Sequence, residues 1–428
     1  MLAAILLALG LVLSSGTPSQ TTHGDVLVAA DTGTGAAHDP AVTYAFSSAD
    51  IMGVADADVA WAADGLELYV GRPGSTTWEV ATPSNMANQP ISNHVGAMDG
   101  VGADDLWLPI LDVAGLAPGR ATGSTRGVGI DSSSNSGRTW SFSALPGCLQ
   151  TCGVNLSVSF VTPMNGYAAI GGPSGPGLLF SSDDGGATWS RVGPVPPLQG
   201  IGVGGPAASR QVVFTSRDDG WLIAGRAGLA PAVSGGTLYR TADGGRSWQR
   251  VAGLPSKNLY SLPSFFGTHD SVVLANPSSS TPGATVVYAT ADGGAHWARR
   301  SLPVLDGLRY FSPSGMGLRF AAVSPSVWRV YIGWTLYITT DSGRHWRQVT
   351  PEPALTTAIR SDPHFGSAVR FVTFSASSVG MAIAQSPSGC ATADGSLANP
   401  DQAPCLEGFP ALMTTTDGGL VWEPVALK

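Results

Sequence analysis

Short runs of aliphatic, aromatic and β-branched residues recur along the chain, each closed by a cluster of Gly, Asp, Asn or Ser. Leu178-Leu179-Phe180, Thr237-Leu238-Tyr239, Val286-Val287-Tyr288 and Leu336-Tyr337-Ile338 are β-favouring. Runs such as Trp189-Ser190-Arg191-Val192 and Trp248-Gln249-Arg250-Val251 alternate apolar and polar positions, as half-buried strands do. The two kinds of run flank one recurring phrase, Ser/Thr-x-Asp-x-Gly-x-x-Trp. It stands at 182–189, 241–248, 290–297, 339–346 and 415–422. A sixth copy, at 133–140, has Asn135 in the aspartate position, and a seventh, at 71–78, keeps only Trp78 and its threonine. Asp accepts hydrogen bonds from nearby N–H groups, Gly supplies a positive φ, and Trp opens the next strand with a large apolar body. Each copy therefore reads as a hairpin turn whose aspartate satisfies buried turn N–H groups. The aspartates and tryptophans are expected to be structural, the latter as core between repeats.

Two further strands precede each phrase. In the first repeat the four are Ile51 to Val54, Val59 to Ala62, Leu66 to Val70 and Trp78 to Ala81. The fourth repeat has Gln211 to Phe214, the turn Arg217-Asp218-Asp219-Gly220, and Trp221 to Ala224; the sixth has Leu318 to Val323 and Val327 to Tyr331. Four antiparallel strands, A to D, repeated seven times predict an all-β fold, a seven-bladed β-propeller.

The phrase resembles the Asp-box, or bacterial neuraminidase repeat, of sialidases, xyloglucanases, sortilin-type receptors and photosystem II assembly/stability factors. The resemblance covers roughly residues 50–428. It implies a fold strongly and a function weakly, because enzymes, receptors and assembly factors share the repeat. Sialidases of this kind have six blades, an arginine triad, an Arg-Ile-Pro segment, a Tyr–Glu nucleophile pair and an aspartate acid/base. The chain has no Arg-Ile-Pro and only five glutamates: Glu67, Glu79, Glu352, Glu407 and Glu423. Glu352, with Tyr310 as partner, and Glu407 are the two expected on the loop-rich side. Xyloglucanases build two seven-bladed propellers with paired catalytic aspartates between them, and only one propeller fits here. Blade count and the lack of catalytic groups bring the assembly factors nearest. A non-catalytic binder is the expected reading; a divergent exo-sialidase is the alternative.

Composition narrows the setting. The net charge is −8, and Lys257 and Lys428 are the only lysines, so there is no basic stripe for nucleic acid. Leu2 to Leu13 is an apolar run broken only by Gly10. It suits a signal-peptide core better than a membrane span, with cleavage expected after Gly16. No Lys or Arg precedes Arg72, so either the start is placed too late or the run is an uncleaved anchor. Residues 17–49 are expected to form an N-terminal segment, with Val42 to Phe46 as a possible ring-closing strand, and 50–428 the propeller. Cys148, Cys152, Cys390 and Cys405 allow three pairings; the local ones, 148 with 152 and 390 with 405, are the most natural, and their spacing does not suit zinc. Disulfides, like the apolar run, indicate a secreted or cell-surface protein. No cofactor or metal is expected.

In a propeller the A–B and C–D turns share one face, and the B–C and D–A connections share the other. The phrases are C–D turns and uniformly tight. The long excursions are B–C segments (112–126, 227–236, 276–283, 386–409) and D–A segments (83–94, 145–155, 194–210, 303–317, 350–367). Repeat proteins bind through the face that varies. On it, His94, Arg120, Arg126, Tyr260, Arg309, Tyr310, Arg360, His364 and Phe365 are the expected contact residues, lining the channel mouth for a protein or glycan partner of a monomeric propeller.

Overall fold

The computed structural model describes residues 51–55, 59–63, 67–84, 98–111, 128–148, 155–171, 177–196, 208–226, 234–255, 258–260, 263–267, 269–277, 285–302, 318–332, 335–349, 352–353, 368–385 and 411–427. They form seven sheets, the blades of a β-propeller. Blade 3 shows the plan: strands A to D are Asn155–Phe160, Gly166–Gly171, Gly177–Ser182 and Ser190–Val195, each antiparallel to the next. The C–D turns of blades 1 to 7 lie at residues 72–76, 135–140, 183–189, 242–248, 291–297, 340–346 and 416–420. Blade 5 departs from the plan, because its A strand is split into Asn258–Tyr260 and Ser264–Phe266, both paired to Asp270–Pro277.

The core lies between blades rather than at the centre. Among the described residues seven apolar clusters occur, one per blade boundary. An alternation in the sheets explains this, since successive side chains of a strand face the two neighbouring blades. Ala168 and Ile170 pack toward blade 2, Tyr167 and Ala169 toward blade 4.

Aromatic rings cement these boundaries. Phe160 of blade 3 stacks on Trp107 of blade 2, centroids 3.5 Å apart, and Phe214 of blade 4 stacks on Tyr167 of blade 3 at 3.6 Å. Gly166 and Gly220 open strand B beneath these phenylalanines, where a Cβ would strike the ring. Phe374 and Gly380 repeat the arrangement in blade 7. There the ring faces Arg329 of blade 6, whose guanidinium lies 4.1 Å from its centroid. The box tryptophans close the same seams. Trp189 and Trp422 are buried; Trp140, Trp248, Trp297 and Trp346 are half-buried and pack on the clusters. The Trp140 indole N–H donates to Ala81 O of the preceding blade at 2.8 Å, and that of Trp189 to Ser143 Oγ at 3.0 Å.

The ring closes between blades 7 and 1. Beyond its D strand (Val421–Pro424), the chain runs on as Ala426–Leu427, parallel to Thr77–Val80, the D strand of blade 1. Glu352–Pro353, following blade 6, lies on the D strand of blade 7 in the same way. Ala60, Ala62, Tyr69 and Trp78 of blade 1 pack against Met381, Ile383, Leu412 and Val425. The degenerate turn of blade 1 leans on this neighbour, its Gly74 N–H donating to Thr414 Oγ1 at 3.0 Å. Val42 to Phe46 lie outside the described residues.

Candidate functional site

The two faces differ in how their polar groups are used. On the box face, Thr241 Oγ1 donates to Asp243 Oδ1 at 2.7 Å and accepts the buried Gly245 N–H at 2.9 Å. Asp243 Oδ1 accepts the Ser247 N–H at 2.9 Å, and Oδ2 accepts the Ser247 hydroxyl. The same wiring recurs at Asp184, Asp292, Asp341 and Asp417. Asn135 reproduces it, accepting the Thr139 N–H with Oδ1 and donating to Thr139 Oγ1 with Nδ2. The expectation that aspartate satisfies buried N–H groups therefore needs correcting. The buried N–H goes to the Ser/Thr hydroxyl, because that side chain points under the turn while the aspartate sits at its surface. Hydrogen bonds from Ser247, side chain first, hold the Asp243 carboxyl down at about 2. Asp292 and Asp341 are lowered chiefly by the His296 and His345 N–H groups. In these six turns the next residue is tied to the A–B turn of its own blade, as Gly244 N–H is to Asp218 O at 2.9 Å. These carboxylates are engaged in holding turns.

The opposite face carries the connections that vary. Strand ends place 112–127 and 386–410 between B and C strands, and 81–98, 196–207 and 302–317 between D and A strands. Turns on the box face are short by comparison, such as 102–104 and 215–219. His94, Arg120, Arg126, Arg309, Tyr310, Arg360, His364 and Phe365 lie outside the described residues. Tyr260 is described, and it is 3% exposed. It belongs to the first piece of the split A strand, pairs with Ala275, packs in the cluster between blades 4 and 5, and donates its hydroxyl to Pro255 O. Burial pushes that hydroxyl's pKa well up. Tyr260 is thus a core residue rather than an exposed aromatic. The split strand, with polar Asn258 and Ser261 beside it, reads as a loop in sequence.

The carboxylates follow a similar logic. Glu352 was expected on the loop-rich side. Its backbone instead pairs with Val421, the first residue after the C–D turn of blade 7, on the outermost strand of that sheet. Glu67 accepts the Tyr69 hydroxyl at 2.7 Å, and Tyr69 is packed between blades 7 and 1. Among the described residues no three His, Cys, Asp or Glu side chains converge in a way that could hold a metal ion. Cys148 is buried and disulfide-bonded; the other three cysteines lie outside the described residues.

One set of polar residues escaped the sequence reading. His296 and His345 occupy the turn position that is Thr139, Thr188 or Ser247 elsewhere, and each ring Nδ1 lies 2.6 Å from its box carboxylate. Aligning the turns would have shown that blades 5 and 6 differ. Between them a cleft of about 420 Å³ opens on the box face.

No protein-family model matches the chain, and no curated protein matches it. Solved structures do. A GH74 xyloglucanase from Xanthomonas campestris is 15% identical with a TM-score of 0.54, over 90% of this chain and 68% of that one. A GH74 enzyme from Niastella koreensis is 12% identical with a TM-score of 0.53, over 90% and 67%. YCF48 bound to a D1 peptide is 14% identical with a TM-score of 0.44, over 78% and 80%. At these identities the likeness is one of fold.

Proposed function

We propose that this protein is an exported, non-catalytic, monomeric propeller that binds a protein or glycan through the face carrying its B–C and D–A connections. The carrying observation is the contrast between faces. Box-face turns are short and their aspartates are consumed in holding the backbone, whereas the other connections can vary without breaking a blade. Export, with removal of the apolar leader after Gly16, fits the cysteine usage.

The rival reading is a glycoside hydrolase, a divergent exo-sialidase. The GH74 fold likeness keeps it in view. It requires a Tyr–Glu pair at the channel mouth. Tyr69, which donates to Glu67, is packed between blades, and Glu352 lies on the outermost strand of its sheet.

The test is a pull-down from an extracellular fraction beside a glycan array, with two variants. Arg309→Ala with Tyr310→Ala should cut binding at least about tenfold, whereas Arg246→Ala, in a box turn, should leave it unchanged. The reverse pattern would show that the wrong face has been chosen. Turnover of a fluorogenic sialoside would move the protein to the hydrolases.

A further inference from the structure

We propose that the cleft between blades 5 and 6, on the box face, is a second ligand site, separate from the loop-rich face, for a small acidic sugar carrying a carboxylate or sulfate. Its walls come from the box turn of blade 5 (Asp292, His296), the start of its D strand (Ala298, Arg300) and Asp270 at the head of its B strand. Blade 6 adds Pro325 from its A–B turn and Ser342 and Arg344 from its box. At about 420 Å³ the cleft falls within the usual range for small-molecule sites, roughly 300–1,000 Å³.

Charge sets the ligand class. The protein is acidic overall, yet this sector gathers His296, Arg300 and Arg344 in the cleft, with Arg299 and Arg347 on the adjoining D strands. Arg300 is braced: its Nε donates to Ser342 O at 3.2 Å and one terminal nitrogen to Arg299 O at 3.1 Å. The other terminal nitrogen is left to donate. Arg344 is exposed, and among the described residues its guanidinium has no hydrogen bond or ion pair. Among the described residues neither arginine has a carboxylate partner, so an incoming anion displaces none of them. Asp292 is committed to its turn and to the His296 ring. That bond fixes the ring and turns Nε2 away from the carboxylate. Asp270 is the remaining acid of the cleft; as an acceptor it suits sugar hydroxyls. Guanidiniums recognise planar or tetrahedral oxyanions by charge-assisted, often bidentate, hydrogen bonds, and two of them line this cleft.

The experiment is calorimetric titration of the full chain with glucuronic acid, glucose 6-sulfate and glucose. The two acidic sugars separate a carboxylate from a sulfate preference, and binding of either supports the site. Glucose should bind at least about tenfold more weakly, the factor expected for one lost charge-assisted contact. Arg344→Ala should weaken the acidic sugar about tenfold and leave the thermal midpoint in place, because the side chain is exposed and unpaired. Arg300→Lys, which keeps the charge and loses the fork, should also weaken it. Arg309→Ala with Tyr310→Ala, in the 302–317 connection between a D and an A strand, should not. Absence of binding by both acidic sugars, equal binding of glucose, or indifference to Arg344→Ala overturns the proposal.

Discussion

At the scale of the residue, the load in each intact turn rests on a hydroxyl. Thr241 is 2% exposed, and its Oγ1 is the acceptor of the buried Gly245 N–H. Thr241→Ala strands that N–H and should cost about 1–3 kcal/mol in urea unfolding. Asp243→Ala frees the Ser247 N–H at the surface, where water replaces the carboxylate, so its midpoint should fall less. The opposite ranking would return the load to the aspartate. Asp243 does leave a pH signature. Its folded pKa, about 2, lies below its ordinary value, so its contribution is complete above about pH 4 and is lost as pH falls toward 2. Asp184, Asp292 and Asp341 move the same way, and Asn135 has no carboxyl to titrate. Unfolding midpoints measured from pH 5 to 2 should decline less steeply in Asp243→Asn than in the native chain; parallel curves would deny it this role. The spacing of the phrase showed which residues make the turn. It could not show which of two oxygen-bearing side chains points inward, since both are polar and two positions apart.

At the scale of the element, the strands were legible because turn chemistry punctuates them. Gln211 to Phe214 and Trp221 to Ala224 were read within a few residues of Ala208–Phe214 and Gly220–Arg226. What one sequence hides is the pairing of a phenylalanine ending strand A with a glycine opening strand B. Its meaning depends on the ring of another blade. Arg329 shows the cost of reading strands singly. It sits in strand B of blade 6, 4% exposed, with its Nε donating to Gly418 O at 2.9 Å and a terminal nitrogen donating to Ser377 O. Burial lowers its pKa, and its cation meets a ring instead of a carboxylate. In blade 2 the indole of Trp107 makes the corresponding bond, to Gly185 O at 2.8 Å, and stacks on Phe160. Arg329→Ala should therefore cost about 2–4 kcal/mol, from a cavity and two carbonyls losing their donor. Arg329→Trp should recover more than half of that loss, by restoring a donor and a stacked ring. Equal losses for the two variants in denaturant unfolding would refute the equivalence of the seams.

At the scale of the whole molecule, the seven copies of one phrase gave the blade count, but not how the ring is joined. The bridge of Ala426–Leu427 is too short for an alternating pattern, so nothing in its composition marks it as a strand. Its neighbour Val425 is 1% exposed within the boundary of blades 7 and 1. Removing residues 425–428 should lower stability by at least about 2 kcal/mol, from the valine alone. An unchanged denaturation midpoint would show that the seam holds without them. Here each described sheet draws its four main strands from one continuous stretch of chain, and the short bridges only lean on a neighbour's edge. Pairings within a blade are therefore local, and blades can mature in the order of synthesis, each docking on the one before. The cluster that joins Tyr69 to Met381 and Leu412 spans most of the chain and must wait until the last blade exists. Folding thus ends, and opening begins, at a single gap, as in a split washer: amides flanking the blade 7–blade 1 seam should be the last to gain hydrogen-exchange protection and the first to lose it.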